Sequence, residues 1–300
     1  MELVSKGKLS PVFFGSALNN FGIELFLNYF LDMTTSPLPR MSDDGMIDTF
    51  SPDFSAFVFK IQANMNKAHR DRVAFMRICS GKFDADKEVY HVQGNKKLRL
   101  SQPQQLMAQE RKVIAEAYAG DIIGVFDPGI FSIGDTVCMP GHKFAFEGIP
   151  TFAPEHFSKV YQIDTMKRKQ FIKGISQIAQ EGAIQIFQEY NTGMEEIIVG
   201  VVGVLQFDVL VHRLKAEYGV EIRMESMPHE YIRWISNKDE IDPANIIGTS
   251  DMKRIKDLKG NPLLLFVHAL VGGIVRGAGD LHQLAYGAAD GLGLDVVFLI

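Results

Sequence analysis

Phe157-Ser-Lys-Val-Tyr-Gln-Ile163, followed by apolar residues at Met166, Phe171, Ile172, Ile175 and Ile178, is the stretch on which the fold turns. Its first seven residues alternate in the manner of a half-buried strand, and the next five recur at the three-and-four spacing of a helix face. Gly182 stops that helix, because glycine takes up the left-handed conformation that closes a helix end. Two strand-like runs follow, Ala183 to Phe187 and Ile197 to Val202, then a helix from about Leu205 to Tyr218 and a strand from Val220 to Met224. Strand, helix, strand, strand, helix, strand is the split βαβ order. Residues 150–269, opened by Pro150 and Pro154, therefore read as an α+β domain of ferredoxin-like type.

Upstream the period is different. Phe57-Val58-Phe59, Val73-Ala74-Phe75-Met76 and Ile122-Ile123-Gly124-Val125 are short apolar runs, and glycines at 81, 94, 120, 129 and 134 punctuate them. Frequent turns between short strands predict a small antiparallel barrel over residues 51–149. Before it, Pro11 to Gly22 reads as a short buried strand and a turn, and Ile23, Phe26, Leu27, Phe30 and Leu31 share one helix face. Pro37, Pro39 and Ser42-Asp43-Asp44-Gly45 then give linker composition up to a boundary near residue 50. Residues 270–300 stand apart, with seven glycines and four charges, and are expected to be poorly ordered.

With 46% hydrophobic and 22% charged residues the chain is globular. A net charge of −5 excludes a uniformly basic nucleic-acid coat but permits a local basic patch. Cys79 and Cys138, 59 residues apart, make neither a disulfide framework nor a zinc site. The N-terminus has no secretory core and no apolar run approaches the roughly 20 residues that cross a bilayer. A reduced cytoplasmic protein without membrane or DNA contact is the expectation.

The catalytic motifs are equally sparse. A phosphate-cradling GxxxxGK[ST] needs backbone N–H groups, a lysine and a hydroxyl, but Gly7-Lys8 is followed by Leu9 and Gly81-Lys82 by Phe83. Asn237-Lys238-Asp239 lacks the spacer of the guanine-reading NKxD, and Asp121-Ile-Ile-Gly124 matches DxxG only inside a barrel strand. The eight histidines form no HExxH, and GxSxG is absent. Trp234 and Phe207 read as core residues rather than stacking platforms. What does stand out is Lys60 to Lys82, where Lys60, Lys67, Arg70, Arg72, Arg77 and Lys82 oppose Asp71 alone. Such a patch either binds phosphates or keeps strand edges soluble.

Phe57-Val-Phe-Lys-Ile-Gln-Ala-Asn-Met and His69-Arg-Asp-Arg-Val-Ala-Phe-Met-Arg resemble the second domain of the bacterial peptide chain release factor 3 family of translational GTPases. Ile149-Pro-Thr-Phe-Ala-Pro-Glu, Glu181-Gly-Ala-Ile-Gln, Val202-Gly-Val-Leu-Gln-Phe-Asp-Val and Arg213-Leu-Lys-Ala-Glu-Tyr are similar to its third domain, and the resemblance runs from about Pro11 to about His268. It implies an elongation-factor Tu-like barrel before the α+β domain. It also implies a role in translation termination, in which the family removes class I release factors from the ribosome using GTP and magnesium. Ser16-Ala17-Leu18 then corresponds to the loop that meets the guanine base, and residues 1–50 to the last strand and helix of a GTPase domain otherwise missing. The expectation is a chain without cofactor or GTP hydrolysis, docking on the small subunit through the Lys60 to Lys82 window. Two alternatives are a GTPase completed by a separately encoded domain and a non-functional fragment.

Overall fold

The computed structural model describes residues 2–63, 72–107, 110–190, 196–235, 251–268, 286–289 and 294–297. The chain divides into two units, one of Met1–Val58, Phe75–Phe126 and Gly134–Glu147, the other of Phe59–Ala74, Asp127–Ile133 and Gly148–Ile300.

The first 50 residues contain α1 (Glu2–Ser5), α2 (Ile23–Met33), β1 (Arg40–Ser42) and β2 (Gly45–Ile47). The expected helix is present, but the strand expected before it is not, and Phe14 is 87% exposed. A strand needs a neighbour for its N–H and C=O groups, and in this region only an isolated bridge from Ser16 to Phe21 is described. Nor is Ser42-Asp43-Asp44-Gly45 a linker. It closes the β1–β2 hairpin, with Ser42 opposite Gly45 and the Ser42 hydroxyl donating to the Gly45 carbonyl at 2.8 Å.

The barrel strands are β3 (Ser55–Ala63), β4 (Arg72–Ser80), β5 (Lys82–Asp84), β6 (Val89–His91), β7 (Lys96–Leu98), β8 (Ser101–Met107), β9 (Glu110–Val113), β10 (Glu116–Tyr118), β11 (Ile122–Phe126) and β12 (Thr136–Cys138). Eight of them hydrogen-bond in the order β7-β6-β12-β3-β4-β11-β8-β9, and β10 pairs with β5 separately. The apolar runs named from sequence form the centre of this arrangement: Phe57, Val58, Val73, Ala74, Met76, Ile123 and Val125 are buried. Polar side chains in the same interior are matched, the Ser55 and Ser80 hydroxyls at 2.5 Å and His91 Nε2 with the Asp135 carboxylate at 2.8 Å. Asp121 lies just before β11 and accepts the Tyr118 N–H at 2.8 Å, so the DxxG look-alike is turn and strand.

The α+β region comprises β13 (His156–Gln162), α3 (Arg168–Gln180), β14 (Gln185–Glu189), β15 (Ile197–Val201), α4 (Leu205–Tyr218), β16 (Ile222–Ser226), β17 (Tyr231–Ile235), β18 (Met252–Asp257), β19 (Pro262–Phe266), β20 (Tyr286–Ala289) and β21 (Leu294–Val297). The sheet order opens β16-β13-β15-β14, all antiparallel, which is the ferredoxin-like arrangement predicted from the element order. It continues through β18, β19 and β17 to β21 and β20. Part of the glycine-rich tail is thus paired, Trp234 standing opposite Val297. The rest of residues 269–300 lies outside the described residues.

Helices α3 and α4 cover one face of this sheet, where Phe171, Ile175, Ile178, Leu210 and Leu214 pack with Ile197, Val199 and Val201. Ile198 points the other way, into a cluster with Phe157, Phe187, Ile232, Ile255, Leu263 and Leu265. Period-two alternation explains why β15 is apolar throughout: both of its faces are buried. Gly174 lets the two helices approach, since a Cβ there would meet Leu214 and Tyr218 side-chain atoms at 2.8 Å. Gly219, in the left-handed region at φ +66°, ends α4 where sequence predicts. Phe207 packs on the helix-side cluster and Trp234 on the other, the core roles expected of them.

His229, between β16 and β17, is 5% exposed and neither ring nitrogen has a hydrogen-bond partner. Burial, with help from Lys253 and against Glu189 and Asp251, lowers its pKa below the ordinary 6.5. A folded-state pKa below the unfolded one means that the unfolded chain takes up more protons as pH falls, so stability is full above about pH 7 and drops through the mid-6 range. Urea unfolding of the wild type should therefore show a falling midpoint between about pH 7 and 5.5. His229→Phe should lose less stability over that interval, and an equal pH dependence in the two proteins would contradict the assignment.

Candidate functional site

The six cations of the Lys60 to Lys82 window are not equivalent. Lys67 and Arg70 lie outside the described residues. Lys60 on β3 and Arg77 on β4 are exposed, and Arg77 has no ion-pair partner among the described residues. Lys82 opens β5 opposite Tyr118 of β10 and pairs with Glu116 at 2.6 Å, its ammonium 5.6 Å from the Tyr118 ring. The hydrogen bond to Glu116 raises the Lys82 pKa and, reciprocally, lowers that of Glu116. Both groups are solvated, so the pair contributes little to stability.

Arg72 differs in kind. Its Nε donates to Asp127 at 2.7 Å, Nη2 to the Phe131 carbonyl at 2.8 Å, and Nη1 to Gln180 Oε1. The Arg72 side chain is 12% exposed and that of Asp127 not at all. The other Asp127 oxygen accepts N–H bonds from Gly129, Ile130 and Phe131 at 2.9, 2.8 and 3.3 Å, and so caps the turn after β11. This arginine fastens the start of β4 to a buried carboxylate and has little left to offer a phosphate. Charge counting in the sequence treats it as one of six, whereas the geometry makes it part of the frame.

A second clamp lies beside this one, and all of its residues belong to the second unit. Arg213 of α4 donates through Nη1 to Glu181 Oε2 at 2.8 Å and through Nη2 to Oε1 at 3.2 Å, and through Nε to Glu217 at 2.6 Å. These carboxylates, Glu217 foremost, push the already high guanidinium pKa higher. Glu181 Oε1 also accepts the backbone N–H of Ala63, the last residue of β3. An open cleft of about 380 Å³ runs along Lys60, Gln62, Glu181, Arg213 and Glu217. Its Arg213 is matched by carboxylates, and among the described residues there is no cluster able to hold a metal ion.

The Ser16-Ala17-Leu18 loop is exposed, Leu18 by 98%. The Ser16 N–H donates to the Phe21 carbonyl at 2.9 Å, and Gly22, not Ser16, precedes the first helical residue. A nucleotide needs a phosphate cradle as well as a base contact, and the sequence has no GxxxxGK[ST]; the residues present do not fit GTP as a resident group. Asn237-Lys238-Asp239 falls outside the described residues. Sequence reasoning missed Asp127, Glu181 and Arg213. A readable signal existed for two of them: Asp127-Pro-Gly is a turn sequence, and Arg213 with Glu217 is an i, i+4 pair on a helix.

Comparison with known proteins matches residues 53–139 to the family "Elongation factor G domain 2" and residues 146–272 to "Class II release factor RF3, C-terminal domain". Proteins named "Peptide chain release factor 3" are 54% identical in Symbiobacterium thermophilum, over 87% of this chain and 49% of theirs, and 48% identical in Gloeobacter violaceus, over 89% and 50%. That of Listeria monocytogenes serotype 4a is 46% identical over 88% and 50%. The chain spans about half the length of the curated relatives it matches. A crystal structure from Thermus thermophilus shares the fold at TM-score 0.59 and 18% identity, covering 85% of this chain and 37% of that one. A barrel domain followed by an α+β domain, matched in order by these families and relatives, places the chain in the peptide chain release factor 3 family.

Proposed function

We propose that this chain acts in translation termination as a ribosome-docking element, holding the small subunit through the basic β3–β4 region and meeting class I release factors there. The observation that carries the reading is the 46–54% identity to proteins named peptide chain release factor 3 across both domains. The uneven charge supports it further. In a chain of net −5, the window from Lys60 to Lys82 holds six cations against Asp71, and Arg77 remains exposed without an ion-pair partner among the described residues. Phosphate contacts need such unpaired cations. On this reading the chain by itself carries no GTP, magnesium or hydrolytic activity and works in the cytoplasm.

A second reading is favoured by one observation. Helix α2 has no buried residue, and Leu25, Leu27, Phe30 and Leu31 are 58, 50, 47 and 70% exposed. Contiguous apolar surface of this kind marks an interaction site. A GTPase part supplied by a separate polypeptide would cover it and return nucleotide chemistry to the assembly.

Two measurements test these readings. Binding of the chain to purified small ribosomal subunits should weaken steeply with KCl, and changing Lys67, Arg70 and Arg77 together to alanine should reduce the slope of log K against log salt by roughly two to three. The matched control is Lys169, Lys173 and Lys259 to alanine, and equal loss in both variants would mean that net charge alone governs binding. Arg72→Ala belongs in neither set, since it strands a buried carboxylate at a cost of about 3–5 kcal/mol in stability. For nucleotide, calorimetry of the chain with GTP and Mg²⁺ should give no saturable heat. A Kd near 1 μM, about −8 kcal/mol, would overturn the cofactor-free reading.

A further inference from the structure

We infer that Gln180, Glu181 and Arg213 are positioning residues for the basic β3–β4 hairpin, fixing both ends of the segment that joins its strands. The inference rests on the reading of that hairpin as the ribosome contact. β3 ends at Ala63 and β4 begins at Arg72, and both ends are tied to one corner, the C-terminus of α3. The Ala63 N–H donates to Glu181 Oε1 at 3.2 Å, and the Arg72 guanidinium donates to Gln180 Oε1.

The corner is itself held. Glu181, its side chain 8% exposed, receives two hydrogen bonds from Arg213 in the bidentate geometry that fixes carboxylate orientation as well as charge. Arg213 is oriented in turn by Glu217 one helical turn later. Gly182 follows at φ +79°, with the Ile133 side chain 3.3 Å from where a Cβ would stand, so the corner has little room to slide. A continuous path of charge-assisted bonds thus runs from α4 through Glu181 to the end of β3.

Direct phosphate binding by Arg213 is the competing explanation, and the charges argue against it. Two carboxylates already surround its guanidinium, so an incoming phosphate would meet a site of net negative charge. Positioning has a clear physical benefit instead. Cations carried on a segment fixed at both ends, Lys67 and Arg70 in the sequence, forfeit less conformational freedom when they meet a rigid array of phosphates.

The test uses the full chain with Glu181→Ala, Glu181→Gln, Arg213→Met and Gln180→Ala, each checked for a native melting transition. Two readouts separate the inference from the reading beneath it: trypsin cleavage after Lys67 and Arg70, and affinity for purified small ribosomal subunits across a KCl series. Glu181→Ala and Arg213→Met should raise cleavage at those two sites by about fivefold relative to other sites, because the local opening that exposes them becomes easier. They should also weaken binding about three- to tenfold with the salt slope unchanged, since no phosphate contact is removed. Glu181→Gln, which keeps an acceptor for Ala63, should fall between. Gln180→Ala disturbs only an exposed bond to Arg72 and provides the comparison if the buried variants fail to fold; it should give the same signs at smaller size. Unchanged cleavage in every folded variant overturns the inference. Faster cleavage with unchanged affinity would mean that the ends are held but the hairpin is not the ribosome contact. A salt slope about one unit flatter in Arg213→Met alone would make that arginine a phosphate ligand and overturn the positioning role.

Discussion

The ion pair between Arg72 and Asp127 joins a carboxylate that water does not reach to a guanidinium that is nearly as enclosed. A buried charge is tolerated only while its partner and its hydrogen bonds stay in place, and removal of one side costs about 3–5 kcal/mol. Here the partners are numerous: three N–H groups cap one carboxylate oxygen, Arg72 takes the other, and the same arginine reaches the Phe131 carbonyl and Gln180. The start of β4, the turn after β11 and the end of α3 are thereby fixed against one another. Everything proposed for the hairpin depends on that anchoring, because a strand free to shift cannot present its cations in a defined place.

The anchoring also divides the basic residues by role. Arg72 is committed to structure and Lys82 is shared with Glu116. Exposed Arg77 is left with the sequence neighbours Lys67 and Arg70 as the cations best suited to an external anion. A window of +5 read from sequence is therefore an upper bound on what a phosphate backbone meets. The same economy holds in the cleft, where Arg213 adds no net attraction because Glu181 and Glu217 already surround it.

Much of this fold was legible because its signals are local and periodic. α4 spans Leu205–Tyr218, as the apolar spacing and Gly219 predict, and the β13-α3-β14-β15-α4-β16 order appears in the sheet as β16-β13-β15-β14. The readings that failed depended on neighbours distant in sequence. Pro11 to Gly15 has strand-like composition and no strand, whereas the polar Ser42 to Gly45 segment forms a hairpin turn whose strand end Ser42 bridges to Phe146. The functional candidates divide in the same way. The basic window was visible as a charge count, but the assignment of Arg72 to a buried partner 55 residues away was not. Glu181 looked like a helix-end residue, and nothing in its neighbourhood announced that it would hold the Ala63 N–H 118 residues upstream.

The account's central claim is that the β3–β4 region is the part of this chain that faces ribosomal RNA. A cryo-electron microscopy reconstruction of the chain bound to the small ribosomal subunit tests it most directly. The account predicts that the segment between Ala63 and Arg72, together with Arg77, lies within about 4 Å of RNA phosphate oxygens, the range of a direct ion pair, while Arg72 remains on Asp127. A complex in which that segment faces solvent and another surface of the chain meets the RNA would contradict it.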